Sequence, residues 1–266
     1  MGIVAAPTCE RESKMNRMKR VRSQMIAAGI FALLAPGGVS AQQLPDARAV
    51  LARYAKEVNA DGLATMPGYR AKGTFSYPAA NMTGTIEIYR DAAGRYVQIV
   101  TLPGIGVLKE GLERDFKWSM NSAEGPKVTE GQEFIEARER IDPRGPKRDP
   151  ALIVDAVTLE RTTVDSQPCV KVKLTWKSGR STTDCYSDAT GLLVSMESSD
   201  TSSMGRLTAE TIFRDYKTVD GVKVATRVVQ KAMSVEVTQL INEIVFEAVD
   251  PAKLALPPEI QALRKK

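Results

Sequence analysis

The spacing of apolar residues predicts a helix early in the chain. Between residues 46 and 58, apolar positions recur every three or four residues, at Val50, Leu51, Tyr54 and Val58. This period is typical of an amphipathic helix with one buried face. Asp46 is the expected N-cap, and the polar segment Asn59–Gly62 is expected to end the helix.

From Tyr69 onward the pattern changes to a period of two, which is typical of half-buried strands. In Met82–Tyr89, for example, Met82, Ile86 and Ile88 share one face. Turn dipeptides such as Asp220-Gly221 favour antiparallel connections. About a dozen strands are predicted: Tyr69–Tyr77, Met82–Tyr89, Arg95–Leu102, Val107–Glu113, Phe116–Met120, Val157–Val164, Cys169–Trp176, Ser181–Tyr186, Leu192–Ser198, Arg206–Tyr216, Val222–Lys231 and Val235–Phe246.

Two further helices complete the predicted elements. Glu130–Ile141 carries an apolar stripe of Phe134, Ile135 and Ile141, and Pro257–Arg264 is a short helix near the C-terminus. The Pro- and Gly-rich segment Asp142–Pro150 is interpreted as a loop within one domain, because strands of the same character continue beyond it.

These elements predict a mainly β (α+β) fold. A long antiparallel sheet twists and curls rather than lying flat, and one of its faces must be covered. The expected architecture is a single curved antiparallel sheet that forms an incomplete barrel, lidded by two or three helices. An incomplete lid over a curled sheet leaves an apolar hollow.

Residues 1–41 are predicted to be an export signal that is removed. Lys19, Arg20 and Arg22 precede the apolar run Met25–Leu34, and Val39-Ser40-Ala41 is a small-x-small cleavage sequence. The apolar run is shorter than the roughly 20 residues of a membrane span. Residues 42–266 are therefore expected to form a single soluble domain that is periplasmic or otherwise exported.

The start residue and the possibility of a lipid anchor also concern this segment. Met1, Met15 and Met18 are all candidate start residues. No Cys follows the cleavage site, so no lipid anchor is expected there.

Removal of the signal changes the charge balance. The whole chain has 37 Lys plus Arg and 32 Asp plus Glu, and residues 1–41 hold six of the bases and two of the acids. The remaining 31 bases and 30 acids nearly cancel. Binding of nucleic acid requires a clustered basic surface. Because the remaining charges nearly cancel, no nucleic-acid partner is predicted.

The chain contains no His. Ser-His-Asp and Cys-His catalysis need an imidazole base, and common catalytic zinc sites also use His. We predict no enzyme activity, no metal and no cofactor. The remaining enzymatic alternative is a carboxylate pair of the glycosidase type, with Glu110 and Glu113 or Asp184 and Asp188 as candidates. The same residues also suit a solvated sheet face.

A glycine pair near Lys109 does not change this conclusion. Gly104-Ile105-Gly106 lacks the third glycine of a dinucleotide fingerprint and lies between strands. It is interpreted as a tight strand connection.

Two cysteines follow the predicted signal, Cys169 and Cys185. Export permits a disulfide between them. A strict two-residue turn at Ser178-Gly179 would place Cys169 opposite Asp188, so a bridge needs a longer loop or a bulge. A disulfide and a pair of buried thiols both remain open.

Aromatic and Met residues on the apolar faces are the candidate ligand contacts. Such side chains adapt to irregular acyl chains, although residues of this kind are more often part of the ordinary core than in contact with a ligand. The candidates are Phe75, Phe116, Trp118, Met120, Phe134, Trp176, Met196 and Phe213.

Several segments resemble LolA-like proteins, the outer-membrane lipoprotein-sorting family. They are Ala71–Ser76, Thr83–Tyr89, Trp118–Asn121, Pro168–Leu174, Asp215–Val222 and Asp250–Pro257. The resemblance implies an incomplete barrel that holds acyl chains in an apolar cavity and carries lipoproteins without covalent chemistry.

The resemblance also sets the expected partners. They are lipid acyl chains or a lipoprotein and an envelope protein, with only peripheral or transient contact with a membrane. LolB-type acceptors are lipid-anchored, and the missing Cys favours a soluble carrier. The alternative within this fold is a periplasmic sensor or interaction module that detects lipid or envelope stress.

Overall fold

The computed structural model describes residues 43–141, 150–202 and 205–264. These residues belong to one compact unit, residues 43–266. The predicted export signal and residues 142–149 of the predicted loop lie outside the described residues. No helix within the described ranges has the length and apolar character needed to cross a membrane.

The core of the structure is one antiparallel sheet, as predicted. Its thirteen strands are β1 (Gly68–Tyr77), β2 (Met82–Asp91), β3 (Tyr96–Leu102), β4 (Gly106–Leu112), β5 (Lys117–Asn121), β6 (Gly125–Thr129), β7 (Ile153–Val164), β8 (Gln167–Trp176), β9 (Ser181–Ser187), β10 (Leu193–Ser202), β11 (Gly205–Val219), β12 (Val222–Ala232) and β13 (Val235–Val245). Their spatial order is β6-β5-β4-β3-β2-β1-β13-β12-β11-β10-β9-β8-β7. Two meanders therefore meet where β1 pairs with β13, and the edge strands β6 and β7 are consecutive in the chain.

In the part of the chain that the structure describes, four α-helices accompany the sheet: α1 (Ala47–Val58), α2 (Ala60–Ala64), α3 (Gly131–Ile141) and α4 (Pro258–Arg264). The Asp46 carboxylate accepts a hydrogen bond from the Ala49 N–H at 2.9 Å and caps α1 as predicted. Asn59 ends α1 in the left-handed conformation, and its side chain accepts from the Gly62 N–H. The predicted stop signal thus also begins α2, a short helix that the prediction missed.

Two other details differ from the sequence prediction. Strand β6 was not predicted, because its sequence, Gly-Pro-Lys-Val-Thr, begins with two residues that are rare in strands. Ile135 was assigned to the buried stripe of α3 but is 45% exposed, whereas Glu136, Ala137 and Glu139 are buried with Phe134.

The sheet is strongly curled, because α3 contacts strands that are far apart in the strand order. Phe134 of α3 packs against Tyr96 of β3 and Leu112 of β4, and Gln132 and Glu139 hydrogen-bond to Ser178 in the β8–β9 turn. Strands β4 and β9 are eight positions apart, which is about 38 Å along a flat sheet. An eleven-residue helix is only about 16 Å long, so the sheet must fold round to meet it.

The curl gives the sheet an inner and an outer face, which we define by their helices. On the inner face α1 packs against Val170, Val172 and Leu174 of β8, and α3 packs nearby. On the outer face Ile260 of α4 packs with Trp118 and other residues. The fold is an open, curved antiparallel sheet lidded by helices, as predicted.

The outer face also carries a disulfide between Cys169 and Cys185. The Trp176 N–H donates to the Arg180 carbonyl, so the connecting loop has three residues rather than two. Cys169 is consequently opposite Ser187, not Asp188, and lies diagonally across from Cys185 with 5.6 Å between the Cα atoms.

Candidate functional site: a cavity between the helical covers

A cavity of about 580 Å³ opens on the inner face between α2 and the C-terminal end of α3. One part of its wall is apolar and is formed by Leu63, Met66, Tyr69, Leu112 and Ile141. The other part is charged and contains Arg90, Asp91, Arg95, Glu113, Arg114 and Arg138. The cavity can therefore contact both an apolar and a polar portion of one guest.

The charged wall is held by specific contacts. Arg95 Nε donates to the Asp91 carboxylate at 2.7 Å, which neutralises that acid. Arg90 is buried and donates to the Ile141 carbonyl at 2.6 Å, at the last residue of α3. Arg138 donates to the Arg114 carbonyl at 3.3 Å and so links α3 to the β4–β5 turn.

The pKa of the Glu113 carboxyl in this wall is raised above its ordinary value. Burial raises the pKa of its carboxyl, Arg95 lowers it, and Asp91 and Asp115 raise it. The charged form of Glu113 is thus disfavoured by its surroundings. The positive character of the wall is correspondingly strengthened whenever Glu113 takes up a proton.

An apolar tract continues from the cavity along the inner face. Tyr69 lines the cavity and also packs against a buried cluster in the centre of the sheet. That cluster consists of Ala71, Ile86, Val100, Leu102 and Ile241. Phe75, Ile88 and Leu108 are partly buried beside it.

Helix α3 is attached to the β8–β9 turn by polar contacts. The Glu139 carboxylate accepts from the Ser178 N–H at 3.2 Å and from its hydroxyl at 2.6 Å. Gln132 donates to the Ser178 carbonyl at 2.8 Å and to Glu136 at 2.9 Å. Both glutamates are buried, so the side of α3 that faces the β8–β9 turn is polar rather than apolar.

Helix α1, by contrast, seals its part of the inner face with apolar packing. Leu51, Tyr54 and Val58 are buried together with Trp176 and Tyr186. The Tyr54 and Tyr186 rings lie 5.4 Å apart. Arg53 also donates to the carbonyls of Asp188 and Ala189, which fixes α1 to the β9–β10 turn.

The eight candidate contact residues do not share one face of the sheet. Strand register and packing place five on the inner face or on α3: Phe75, Phe134, Trp176, Met196 and Phe213. Phe116 and Trp118 pack on the outer face under α4, and Met120 shares the face of Trp118. None of the eight lines the 580 Å³ cavity, whereas Phe116 lines a smaller cavity of about 450 Å³ beside α4. Contact of these residues with a ligand stays a prediction.

The packing of Trp118 explains why its face was hard to predict. A β-carbon at Gly111 would come within 2.4 Å of the indole ring, so the glycine makes room for the tryptophan on the outer face. One residue of register decides between the two faces, and hydrophobicity alone does not fix it.

Three of the four candidate catalytic carboxylates bind neighbouring side chains. Asp184 is fully buried and accepts from the Tyr186 hydroxyl at 2.9 Å. Asp188 forms an ion pair with Arg161, and Glu110 forms one with Lys117 at 3.6 Å.

The arginines of the cavity were not predicted from the sequence. Arg90, Arg95 and Arg114 lie at strand ends or in turns, where charged residues are normally solvated, and Arg138 lies on the polar side of α3. No spacing rule connects these four positions. Only the folded sheet brings them to one wall.

Comparison with known proteins supports the fold. No family model and no curated protein matches the chain. Among solved structures, a DUF1329 family protein from Desulfovibrio piger is 14% identical, with a TM-score of 0.54, covering 77% of this chain and 97% of that one. A LolA superfamily protein from Nitrosomonas europaea is 13% identical, with a TM-score of 0.51 and coverages of 80% and 98%.

A third structure is described as a putative outer membrane lipoprotein-sorting protein domain from Vibrio parahaemolyticus. It is 10% identical, with a TM-score of 0.52, and covers 83% of this chain and 100% of that one. Identities this low establish shared architecture only. The chain has a LolA-like fold.

Proposed function

We propose that the protein is an exported carrier that shelters lipid acyl chains, free or attached to a lipoprotein, on the inner face of its sheet. It does this without covalent chemistry. The observation that carries the proposal is the cavity between α2 and α3, whose wall residue Tyr69 also packs against the buried apolar cluster in the centre of the sheet.

The energetics of acyl burial are sufficient for such a role. Each buried methylene contributes about 0.8 kcal/mol. A tail of about sixteen carbons therefore contributes about 13 kcal/mol, which supports micromolar binding when the association cost is at the low end of its range, about 4 kcal/mol.

Release requires the cover of the inner face to open, and α3 is the element suited to do so. Its attachment at Ser178 consists of hydrogen bonds, which water can replace, whereas the apolar core under α1 would be exposed to water on separation. Movement of α3 would widen the cavity along Ile141 and Arg138.

The first test is the identity of any bound lipid. The protein is purified under native conditions without detergent, extracted, and the extract is analysed by mass spectrometry. Uptake of a fluorescent fatty acid is measured in parallel. We expect co-purified lipid and saturable uptake, and a protein that shows neither would contradict the proposal.

A matched pair of variants locates the site. Ala64 is an exposed residue of α2 that lines the cavity, and Ala52 is an exposed residue of α1 that does not. Ala64→Trp should fill the entrance and reduce uptake, and Ala52→Trp should leave uptake unchanged. Equal uptake by both variants would place the ligand elsewhere.

A further inference from the structure

We infer that the cavity selects amphiphiles with an anionic head group, a phosphate or a carboxylate, which binds to its arginine wall. This inference rests on the proposed function and specifies its ligand class. The head group would lie against Arg114 and Arg138, and the tail would follow the apolar wall towards Tyr69.

The first argument is charge. Four arginines line the cavity against two carboxylates, Asp91 and Glu113. Asp91 is neutralised by Arg95, and burial disfavours the charged form of Glu113. Within the described residues the wall therefore keeps the positive charge of Arg114 and Arg138, in a chain whose residues 42–266 carry almost no net charge.

The second argument is the arrangement of the two outer arginines. The Arg138 guanidinium donates to the backbone carbonyl of Arg114, so these two exposed residues are neighbours in the wall of the cavity. Within the described ranges, no carboxylate lies at ion-pair distance from either guanidinium. Guanidinium groups bind phosphate and carboxylate oxygens through paired N–H donors, so an anionic head group supplies the missing acceptors.

The third argument is the apolar part of the cavity wall, which accompanies the arginines. Leu63, Met66 and Ile141 would be poor neighbours for a free, fully hydrated ion. They suit the first methylenes of an acyl chain. A cavity with one basic and one apolar wall fits an amphiphile better than a small inorganic anion.

The test compares ligands that share one acyl chain and differ in the head. Lysophosphatidic acid and a fatty acid carry the charge, monoacylglycerol has none, and inorganic phosphate has no tail. Affinities are measured by calorimetry with the purified protein at low and at high salt. We expect both charged amphiphiles to bind at least about tenfold more tightly than monoacylglycerol, because each charged hydrogen bond is strong. Salt should reduce that difference.

Variants then assign the effect to the arginines. Arg114→Gln and Arg138→Gln should each lose most of the preference for charged heads and keep their affinity for monoacylglycerol. Arg161→Gln is the control, because Arg161 is paired with Asp188 away from the cavity. Circular dichroism and unfolding curves verify that all three variants fold.

Each other outcome has a distinct meaning. If monoacylglycerol binds as tightly as lysophosphatidic acid to the unmodified protein, the head-group inference is wrong although the carrier proposal stands. If inorganic phosphate binds as tightly as lysophosphatidic acid, the cavity is a small-anion site and the inference is again wrong. If no amphiphile binds, the proposed function itself fails.

Discussion

The inner face of the sheet is covered by α1 and by α3, and the two coverings are built differently. Under α1, Leu51, Tyr54 and Val58 close onto Trp176 in one apolar cluster. Under α3, Phe134 makes a smaller cluster with Tyr96 and Leu112, and the remaining buried positions of the helix are Ala137 and the glutamates Glu136 and Glu139. The cavity adjoins α3.

The proposed carrier function gives these two coverings different roles. Apolar burial is strong and non-directional, so α1 acts as a fixed part of the core. Polar contacts contribute less net free energy, so α3 can leave the sheet at a smaller cost. The carrier model needs one permanent covering and one that opens.

The largest expected effect compares two aromatic truncations. Trp176→Ala should lower the free energy of unfolding by about 3–5 kcal/mol, because it empties the core under α1. Phe134→Ala should lower it by at most about 2 kcal/mol, because α3 can separate locally without unfolding the sheet. Chemical denaturation followed by circular dichroism measures both. Equal losses would show that α3 belongs to the same cooperative core as α1.

The next effect concerns the polar attachment of α3. Glu139→Ala removes both hydrogen bonds to Ser178, each of which involves a buried carboxylate. We expect the docking of α3 to weaken by about 1–3 kcal/mol, and the exchange of a bound fluorescent fatty acid to become faster. Glu133→Ala, a partly exposed carboxylate of the same helix, is the control. If the fatty acid exchanges at an unchanged rate in the Glu139 variant, the contact between Glu139 and Ser178 does not control the opening of α3.

The smallest expected effect is the pH-dependent contribution of Glu113 to the stability of the folded protein. Because its pKa is raised in the folded protein, its charge costs stability at neutral pH, and that cost disappears as the pH falls below the ordinary Glu pKa. Glu113→Gln should therefore be more stable than the unmodified protein at pH 7, by about 0.5 kcal/mol or less, with no gain near pH 4.

The exposed Glu124 provides the comparison for that measurement. Thermal unfolding of Glu113→Gln and Glu124→Gln is followed between pH 4 and pH 8. A gain for Glu113→Gln that grows towards acidic pH would reverse the sign and contradict the assigned environment.

The sequence predicted the elements well because their signals are local. The spacing of Leu51, Tyr54 and Val58 specifies α1, and alternation specifies the strands. The positive φ angles of Asp220 and Gly221 confirm the hairpin turn that their dipeptide predicts. Strand β6 was missed because its local signal is weak and its pairing with β5 is tertiary.

The site was less predictable because it depends on register and on contacts distant in sequence. Trp118 and Trp176 have similar sequence surroundings, yet they lie on opposite faces of the sheet. Arg90, Arg114 and Arg138 meet only because the curled sheet brings α3 over the ends of β2 and β4. The periodicity of apolar residues does not predict that these distant arginines lie in one wall.

Hydrogen–deuterium exchange tests the central claim most directly, by comparing the amides of α1 and α3 with and without a bound fatty acid. We expect faster exchange in residues 131–141 than in residues 47–58 for the free protein, and slower exchange in residues 131–141 alone when the ligand binds. Equal protection of both helices, unchanged by ligand, would contradict the claim that α3 is the movable cover of a lipid site.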